Sequence, residues 1–354
     1  MNQKELLRYR LQSQRLLQPA VGSAQELVSW MGAVQAQDYA MCKWALGVRL
    51  PSADDALIEA ALESGELIRT HVLRPTWHLV APADVRWMLQ LTAPRIHAYA
   101  QTYYRKAELD QKIFTKAHKV LERILHGKHL DRTGIKTVFT KAGINTDDLR
   151  LTHILLHAEL EGLICNGPRI GKQIGYALLE ERVPAVATID NDEALAMLAR
   201  RYFQSHGPAT EKDFSWWSGL SLTQARKGIG QIVKEMEKVS FGGQDFWFIP
   251  PALDPVAKTT VYLLPNYDEY TVAYADRALL MSQEKDHTIS RDNPLFSNTI
   301  IVDGKVRGTW KRSIKKDSVA VATESFEQLP ATRRKQLDSA IEQYNRFLFP
   351  SQKR

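Results

Sequence analysis

The chain has 354 residues, of which 44% are hydrophobic and 25% are charged, which excludes a disordered protein and allows two to four compact domains. Its formal net charge of +7 permits a polyanionic partner, and its two cysteines are too few for a disulfide framework or a four-ligand zinc site. The chain shows neither a run of about 18 apolar residues nor a signal-peptide core, so we expect a cytoplasmic protein with no membrane partner.

Helical periodicity dominates the first 240 residues and begins with a leucine-rich helix. Ser23 is placed to cap a second helix, and residues 54–63 form another after Pro51-Ser52. The segment LIRTHVLRPTWHLVAP then changes to the pattern of strands, which predicts two strands with a tight bend near Arg74-Pro75. Helices followed by such a hairpin are typical of a winged-helix domain.

The succession of helices and hairpin recurs twice, with hairpins near Gly167 to Gly175 and in VSFGGQDFWFIP. Ser221 or Thr223 is expected to cap the helix before the last of these. From about Thr259 the period becomes two, which predicts strands in TTVYLLPNYDEYTVAY and NTIIVDGKVRGTWKR. Asp303-Gly304 predicts a hairpin turn within the second of these segments. The fold class predicted is mainly α with β, with winged-helix domains at 1–108, 109–188 and 189–258 and a small β-barrel or curled sheet with a closing helix at 259–354.

The segment QAQD interrupts the apolar face that precedes it. On a continuous helix Gln35 and Gln37 would point about 200° apart and could not share a pocket. If the helix stops near Val34, the segment is extended, both amides project to the same side, and Asp38 caps a helix over residues 40–48. Surface or capping glutamines are the alternative, because Gln-x-Gln alone has almost no specificity.

Metal and phosphate signals are weak. His153 and His157 have the spacing of a helical ligand pair but lack a matching third ligand nearby. The acidic segment YDEY, Tyr267 to Tyr270, lacks an acidic partner cluster, so a structural hydrogen-bond network is the favoured interpretation. GPRIGKQIG does not have the P-loop order. We predict no metal and no cofactor.

Basic side chains concentrate in the predicted hairpins, where folds of this kind contact phosphates, although a solvated charge run is equally compatible with the sequence. The candidate DNA-binding residues are Arg169 and Lys172 in the second hairpin and Lys305, Arg307, Lys311 and Arg312 in the late one.

Six segments occur in order along the chain: QAQD, RPTWHLVAPADVRW, HAELEGLICNGP, DFSWWSGLSLTQAR, LLPNYDEYTVAYADR and IIVDGKVRGTWKR. Together they resemble the winged-helix DNA glycosylases typified by AlkZ and YcaQ, from about Leu7 to Phe347. The resemblance implies three tandem winged-helix domains and a C-terminal β-barrel, arranged as a C-shaped clamp around duplex DNA. It also implies hydrolysis of the N-glycosidic bond of alkylated purines, with some members unhooking interstrand crosslinks.

The resemblance assigns catalysis to Gln35 and Gln37, which match the Gln-x-Gln form of the family's motif. A neutral amide is a poor general base. However, a purine alkylated at N7 or N3 is already cationic and leaves as a neutral base, so the amides need only orient a water. We therefore expect a monofunctional enzyme without a Schiff-base lysine. Asp38, Thr76 and His78 are expected to support the pocket, the last two by hydrogen bonding the glutamines or as part of the core.

The alternative is a non-enzymatic winged-helix DNA-binding regulator. It would need a basic recognition helix and usually a dimer interface, whereas LTHILLHAELEGL is too apolar to read a major groove. A metal nuclease is disfavoured because no carboxylate cluster is present. The expected partner is double-stranded DNA carrying alkylated bases, bound by a monomer at the nucleoid. The preferred lesion and the question of base flipping stay open.

Overall fold

The computed structural model describes residues 1–17, 22–185, 189–250, 261–281 and 297–350. Thr259 and residues 188 and 258, where the sequence suggests domain boundaries, lie outside the described residues. Within these ranges, none of the helices has the length and apolar character needed to cross a membrane.

The first block of the chain contains five helices and a three-stranded antiparallel sheet of order β1-β3-β2. The tight bend predicted near Arg74-Pro75 joins β2 to β3. The elements are α1 Gln3–Ser13, α2 Ala24–Met31, β1 Val34–Gln35, α3 Tyr39–Gly47, α4 Asp55–Ser64, β2 Ile68–Val72, β3 Thr76–Val80 and α5 Pro82–Lys106.

The second block repeats this arrangement, because a short strand again pairs with the second strand of a hairpin in the order β4-β6-β5. The hairpin covers the glycine-rich segment predicted from the sequence. The elements are α6 Gln111–Leu125, β4 Leu130–Asp131, α7 Arg132–Lys141, α8 Arg150–Leu160, β5 Ile164–Ile170, β6 Gln173–Leu178 and the 3₁₀ turn Leu179–Glu181.

The third block has three helices and a hairpin, and an isolated bridge between Ala209 and Trp247 takes the place of the short strand. Ser221 caps the third helix, as expected for one of the two predicted candidates. The elements are α9 Asn191–Ser205, α10 Glu211–Ser218, α11 Leu222–Ile232, the 3₁₀ turn Val233–Glu235, β7 Glu237–Phe241 and β8 Gln244–Phe248.

The C-terminal block forms an open four-stranded sheet of order β12-β11-β10-β9. Within the described residues β9 and β12 are edge strands, so this part of the chain matches the open-sheet form of the prediction and forms no closed barrel. The strand predicted through YDEY is wrong, because the Asp268 side chain accepts from the Tyr270 N–H and starts a helix instead. The elements are β9 Val261–Leu264, α12 Glu269–Val272, β10 Thr299–Val302, β11 Lys305–Ile314, β12 Val319–Ser325 and α13 Ala331–Leu348.

The buried apolar side chains form two main clusters. The first, third and C-terminal blocks share one continuous core. The second block has its own core, while its Cys165, Leu179 and Val183 pack into the shared one. A small satellite of Ala93, Ile96 and Leu160 lies between α5 and α8. The 25-residue helix α5 therefore runs from the shared core to the core of the second block.

Candidate active site

The first half of the QAQD segment pairs with β3. Helix α2 ends at Met31, three residues before the predicted end, because Gly32 adopts a φ of 79°. Gln35, the last residue of β1, lies opposite His78 in the antiparallel ladder, and the Ala36 N–H donates to the Trp77 carbonyl at 2.6 Å. Gln37 follows in the bend that leads into α3, so the helix ends before both glutamines.

Both glutamine carbonyls accept hydrogen bonds from the bend and start of β3. Gln35 Oε1 accepts from Arg74 Nη2 at 3.0 Å, and Gln37 Oε1 accepts from the backbone N–H of Trp77 at 3.3 Å. An amide oxygen has two lone pairs, so each retains one for a further donor. Gln35 is only 8% exposed, whereas Gln37 is exposed. Solvent therefore reaches the pair from the Gln37 side.

The peptide between the glutamines is fixed by Arg69. Its Nε and Nη2 both donate to the Ala36 carbonyl, at 3.0 and 2.9 Å. The guanidinium also lies 4.1 Å from the ring centroid of Trp77 and donates to Asn166 Oδ1 in the second block. Because Arg69 is only 6% exposed, burial lowers its pKa. Its guanidinium donates to Ala36 and Asn166 and therefore has a structural role.

A buried carboxylate holds the backbone of Gln35 from the opposite side. Glu269 Oε1 accepts from the Gln35 N–H at 2.7 Å, and Oε2 accepts from Trp217 Nε1 at 3.0 Å with His206 Nε2 3.3 Å away. Burial alone would raise the pKa of Glu269, but the nearby His206 and Arg74 outweigh it and hold that pKa below its ordinary value. Glu269 is therefore a buried anion directly behind the first glutamine.

Helix α12, which carries Glu269, is anchored by a buried ion pair. Arg49 Nη1 and Nη2 each donate to one oxygen of Asp268 at 2.8 Å, and Arg49 Nη2 also donates to Gln14 Oε1. Such a bidentate pair defines orientation as well as distance. The YDEY segment thus forms the hydrogen-bond network favoured by the sequence, and this network positions Glu269.

The three predicted supporting residues have different surroundings. Asp38 accepts from the N–H groups of Ala40 and Met41 and caps α3 at Tyr39, one residue before the predicted start. His78 Nδ1 lies 2.9 Å from the Thr76 carbonyl, while His78 Nε2 and Thr76 Oγ1 have no hydrogen-bond partner.

The hydrogen bonds expected from Thr76 and His78 to the glutamines are therefore not formed, because the bend presents Arg74 and the Trp77 N–H to them instead. His78 is fully buried, and burial lowers its pKa to about 3.

The third block packs directly on the bend that carries Arg74. Gly219 has a φ of 71°, and a Cβ added there would lie 2.3 Å from the Leu73 carbonyl oxygen. Arg95 Nε donates to the Gly219 carbonyl at 2.6 Å, which adds a hydrogen bond to this contact. Three parts of the chain that are distant in sequence thus meet around the glutamines.

A model of the DNA glycosylase AlkZ-like family matches residues 28–347 of the chain. The chain belongs to the AlkZ-like DNA glycosylases. It is accordingly a DNA N-glycosylase, a hydrolase of DNA repair.

Two comparisons, one of sequence and one of structure, lead to a DNA glycosylase of Streptomyces sahachiroi. The chain is 23% identical over 343 residues to an interstrand DNA cross-link repair glycosylase, with 92% of each chain covered. The fold is similar to the solved structure of the DNA glycosylase AlkZ, with a TM-score of 0.78 and 21% identity over 97% of this chain and 96% of that one.

In this AlkZ-like glycosylase the predicted DNA-binding residues differ in how they are held. Lys172 is exposed in the turn between β5 and β6, and Arg169, on β5, has Nη1 3.8 Å from Glu59 Oε1. The late hairpin carries the others. Lys305 and Arg307 are half-buried, with Arg307 paired to Glu327 at 3.1 Å; Lys311 is exposed; and Arg312 donates to Tyr344 Oη at 2.7 Å.

Sequence reasoning missed three residues that hold the glutamine segment: Arg69, Arg74 and Glu269. Arg69 carries a usable signal, since an arginine in a buried strand requires a specific partner. The sequence around Glu269 gives no signal for this role, because Glu269 contacts a residue, Gln35, that lies 234 positions away along the chain.

Proposed function

We propose that this AlkZ-like glycosylase hydrolyses the N-glycosidic bond of cationic alkylated purines in duplex DNA. The substrate class includes N7-alkylguanine, 3-methyladenine and bulky or crosslinked adducts. The observation that carries the proposal is the pair of amide oxygens of Gln35 and Gln37, each of which accepts one hydrogen bond and retains a second lone pair. The cross-link repair title of the similar Streptomyces protein supports including crosslinks.

The chemistry follows from the charge on the leaving group. A purine alkylated at N7 or N3 carries a positive charge and departs as a neutral base, so no general acid is needed at the base. The sugar develops oxocarbenium character, and a water attacks C1′. Gln35 and Gln37 accept hydrogen bonds from that water and orient it, which lowers the entropic part of the barrier. No covalent enzyme intermediate forms, so the reaction is monofunctional and leaves an abasic site.

Arg74 and Glu269 are assigned as positioning residues. Arg74 fixes the orientation of the Gln35 amide by donating to its oxygen, which leaves the NH₂ group available to the DNA backbone. Glu269 fixes the peptide of Gln35 and places a negative charge behind it. A fixed anion near a developing cation stabilises the transition state most when it is buried and preorganised. Asp38 supports the same segment by capping α3.

We assign residues 1–108, 109–188 and 189–258 to three winged-helix domains that, with the C-terminal sheet, surround duplex DNA in a C-shape. Each of the three blocks has a hairpin completed by a short strand or a bridge, which supports the assignment. Phosphate contacts are proposed for Arg169, Lys172, Lys305, Arg307 and Lys311, and Arg312 is given a structural role on α13. We expect a monomer in the cytoplasm, associated with the nucleoid.

The test is excision from defined duplexes that each carry one lesion: N7-methylguanine, 3-methyladenine, a bulky N7 adduct or an N7 crosslink. We expect abasic sites from the wild type and strand breaks only after alkali. The Gln35→Ala and Gln37→Ala variants should each slow the single-turnover rate by about 10²–10³-fold. Gln101→Ala, which removes an exposed glutamine of α5, is the matched control and should react at the wild-type rate.

An unchanged rate in both active-site variants would remove the amide pair from catalysis. Sequence-selective binding with no abasic product would favour a regulator. Strand cleavage without alkali would contradict the monofunctional mechanism.

A further inference from the structure

Three side chains with metal-ligating atoms meet at the junction of α5 and α8, separate from the glutamine pair. His97 lies on α5, His157 lies on α8, and Glu161 is the C-cap residue of α8. One ligand atom from each lies within 4.8 Å of the other two. His157 and Glu161 are four residues apart, so they face the same side of the helix end. The sequence offered no third ligand for His157 because His97 is 60 positions away along the chain.

One pair of these side chains has a separation that suits two ligands of one ion. His97 Nε2 lies 3.0 Å from Glu161 Oε1, and Nε2 has no other partner within the described residues. Tetrahedral zinc ligands at about 2.0–2.1 Å from the metal are roughly 3.3 Å apart. The observed separation of 3.0 Å is close to that spacing.

The other nitrogen of each ring is occupied. His157 Nδ1 lies 3.2 Å from His118 Nε2 on α6, and His97 Nδ1 lies 3.4 Å from Tyr104 Oη. These contacts leave Nε2 of both rings as the ligand atoms, and metal-bound histidines are typically held in this way through their second nitrogen. Phe114 stacks on His157 with ring centroids 3.8 Å apart, so the ring plane is fixed before an ion arrives.

Access to the cluster also suits a cation. Glu161 is half-exposed and supplies the negative charge. An open cleft of about 340 Å³ lined in part by His97 and Glu161 leaves room for a water as the fourth ligand.

We propose that His97, His157 and Glu161 form a binding site for a transition-metal ion of the Zn²⁺ class. Two imidazoles and one carboxylate suit Zn²⁺ rather than Mg²⁺ or Ca²⁺, which prefer oxygen ligands. The ion ties α5, which reaches the shared core, to α8 of the second block. The ion therefore adds a cross-link at a junction where the satellite of Ala93, Ile96 and Leu160, together with Ala100 and Tyr104 of α5, already packs against the second block.

The experiment uses untagged full-length protein treated with EDTA and dialysed, then titrated with ZnCl₂ by calorimetry and with CoCl₂ by visible absorption. We expect about one equivalent bound, cobalt bands of a four-coordinate site and a higher Tm with Zn²⁺. Glu161→Gln and His97→Asn should each lose at least about tenfold in affinity. His126→Ala is the matched control, because it removes a histidine that is 83% exposed and lies outside the cluster.

Absence of stoichiometric binding by the wild type overturns the proposal, and so does unchanged affinity in both cluster variants. Glu161→Gln keeps the side-chain volume at a half-exposed position, and its circular dichroism spectrum shows whether it is folded. The proposal does not rest on the glycosylase mechanism. Excision by the metal-free protein, assayed at a temperature where it stays folded, should be retained, so failure of one proposal is distinguishable from failure of the other.

Discussion

Gln35 and Gln37 have the same side chain but are held to different degrees. Gln35 is bound at its N–H by Glu269 and at its amide oxygen by Arg74, and it is nearly buried. Gln37 is exposed and accepts one longer bond from the Trp77 N–H. Gln35 is thus preorganised by its surroundings, whereas the exposed Gln37 keeps more rotamer freedom. The sequence pattern of two equivalent amides did not predict this difference.

Replacing Glu269 tests the positioning role at the residue scale. Glu269→Gln preserves the volume but removes the charge that faces Gln35, Trp217 and His206, so we expect a loss of about 1–3 kcal/mol in the free energy of unfolding. We also expect slower single-turnover excision with unchanged affinity for lesion-containing DNA. Urea unfolding, excision and binding are measured on the same preparation.

The control for this substitution is Glu122→Gln on α6, an exposed carboxylate outside the site. A Glu269→Gln enzyme with the wild-type rate and stability would show that the carboxylate has no part in holding Gln35.

At the scale of elements, local patterns predicted the hairpins and most of the helices. The switch from helical to alternating periodicity at LIRTHV and the turn at Asp303-Gly304 both correspond to observed strands. The prediction failed at YDEY, where alternating aromatics favour a strand but the Asp268 cap and its ion pair with Arg49 stabilise a helix. That ion pair joins residues 219 positions apart, so no local pattern could reveal it.

The cap of α3 gives a prediction for an element next to the site. Asp38→Ala removes the bonds to the Ala40 and Met41 N–H groups, and we expect it to cost about 0.5–2 kcal/mol in the free energy of unfolding. Asp38→Asn retains an acceptor oxygen and should cost less. Chemical denaturation of both variants is the measurement, and equal stability of Asp38→Ala and wild type would exclude a capping contribution.

The second hairpin gives a prediction for DNA binding. Lys172→Ala should weaken binding to any duplex sequence and reduce the slope of log K against log salt concentration by about 0.9, the value for one phosphate contact. Arg312→Ala is the matched control, because that guanidinium donates to Tyr344 and should leave the salt slope unchanged. Fluorescence anisotropy at several salt concentrations measures both. A reduced slope for Arg312→Ala alone would reverse the assignment.

At the scale of the molecule, the arrangement of the blocks was less predictable than their content. The second block keeps its own core, but the first, third and C-terminal blocks share one. The repeated sequence patterns predict which helices and hairpins each block contains, because these elements form from residues that are close in sequence. How the blocks merge depends on contacts such as Gly219 against Leu73, which leave no periodicity in the sequence. The site is built from such contacts, so its supporting residues were missed for the same reason.

Buried neutral histidines predict how the stability of the whole chain depends on pH. Burial brings the pKa of His78 and of His157 to about 3 in the folded protein, against about 6.5 in the unfolded chain. Between pH 3 and pH 6.5 these histidines bind more protons in the unfolded state than in the folded one. The free energy of unfolding therefore falls as the pH decreases through this range, and these two histidines do not change it above pH 6.5. Each histidine contributes a slope of about 1.4 kcal/mol per pH unit.

His78→Gln should therefore reduce the slope of unfolding free energy against pH, measured between pH 4 and 6, by about 1.4 kcal/mol per unit. His126→Ala, at an exposed position, serves as the control. An unchanged slope in His78→Gln would show that this histidine is not kept neutral in the folded protein.

The close approach of Gly219 to the Leu73 carbonyl makes the chemistry sensitive to a residue with no functional group. A single methyl group at that position would meet the carbonyl oxygen at 2.3 Å and push aside the bend on which Arg74 sits. The guanidinium would then leave the Gln35 oxygen, and turnover would fall although both amides were intact. A substitution at Gly219 in the third block can thus inactivate the enzyme, although a search for functional residues among polar side chains would not include a glycine.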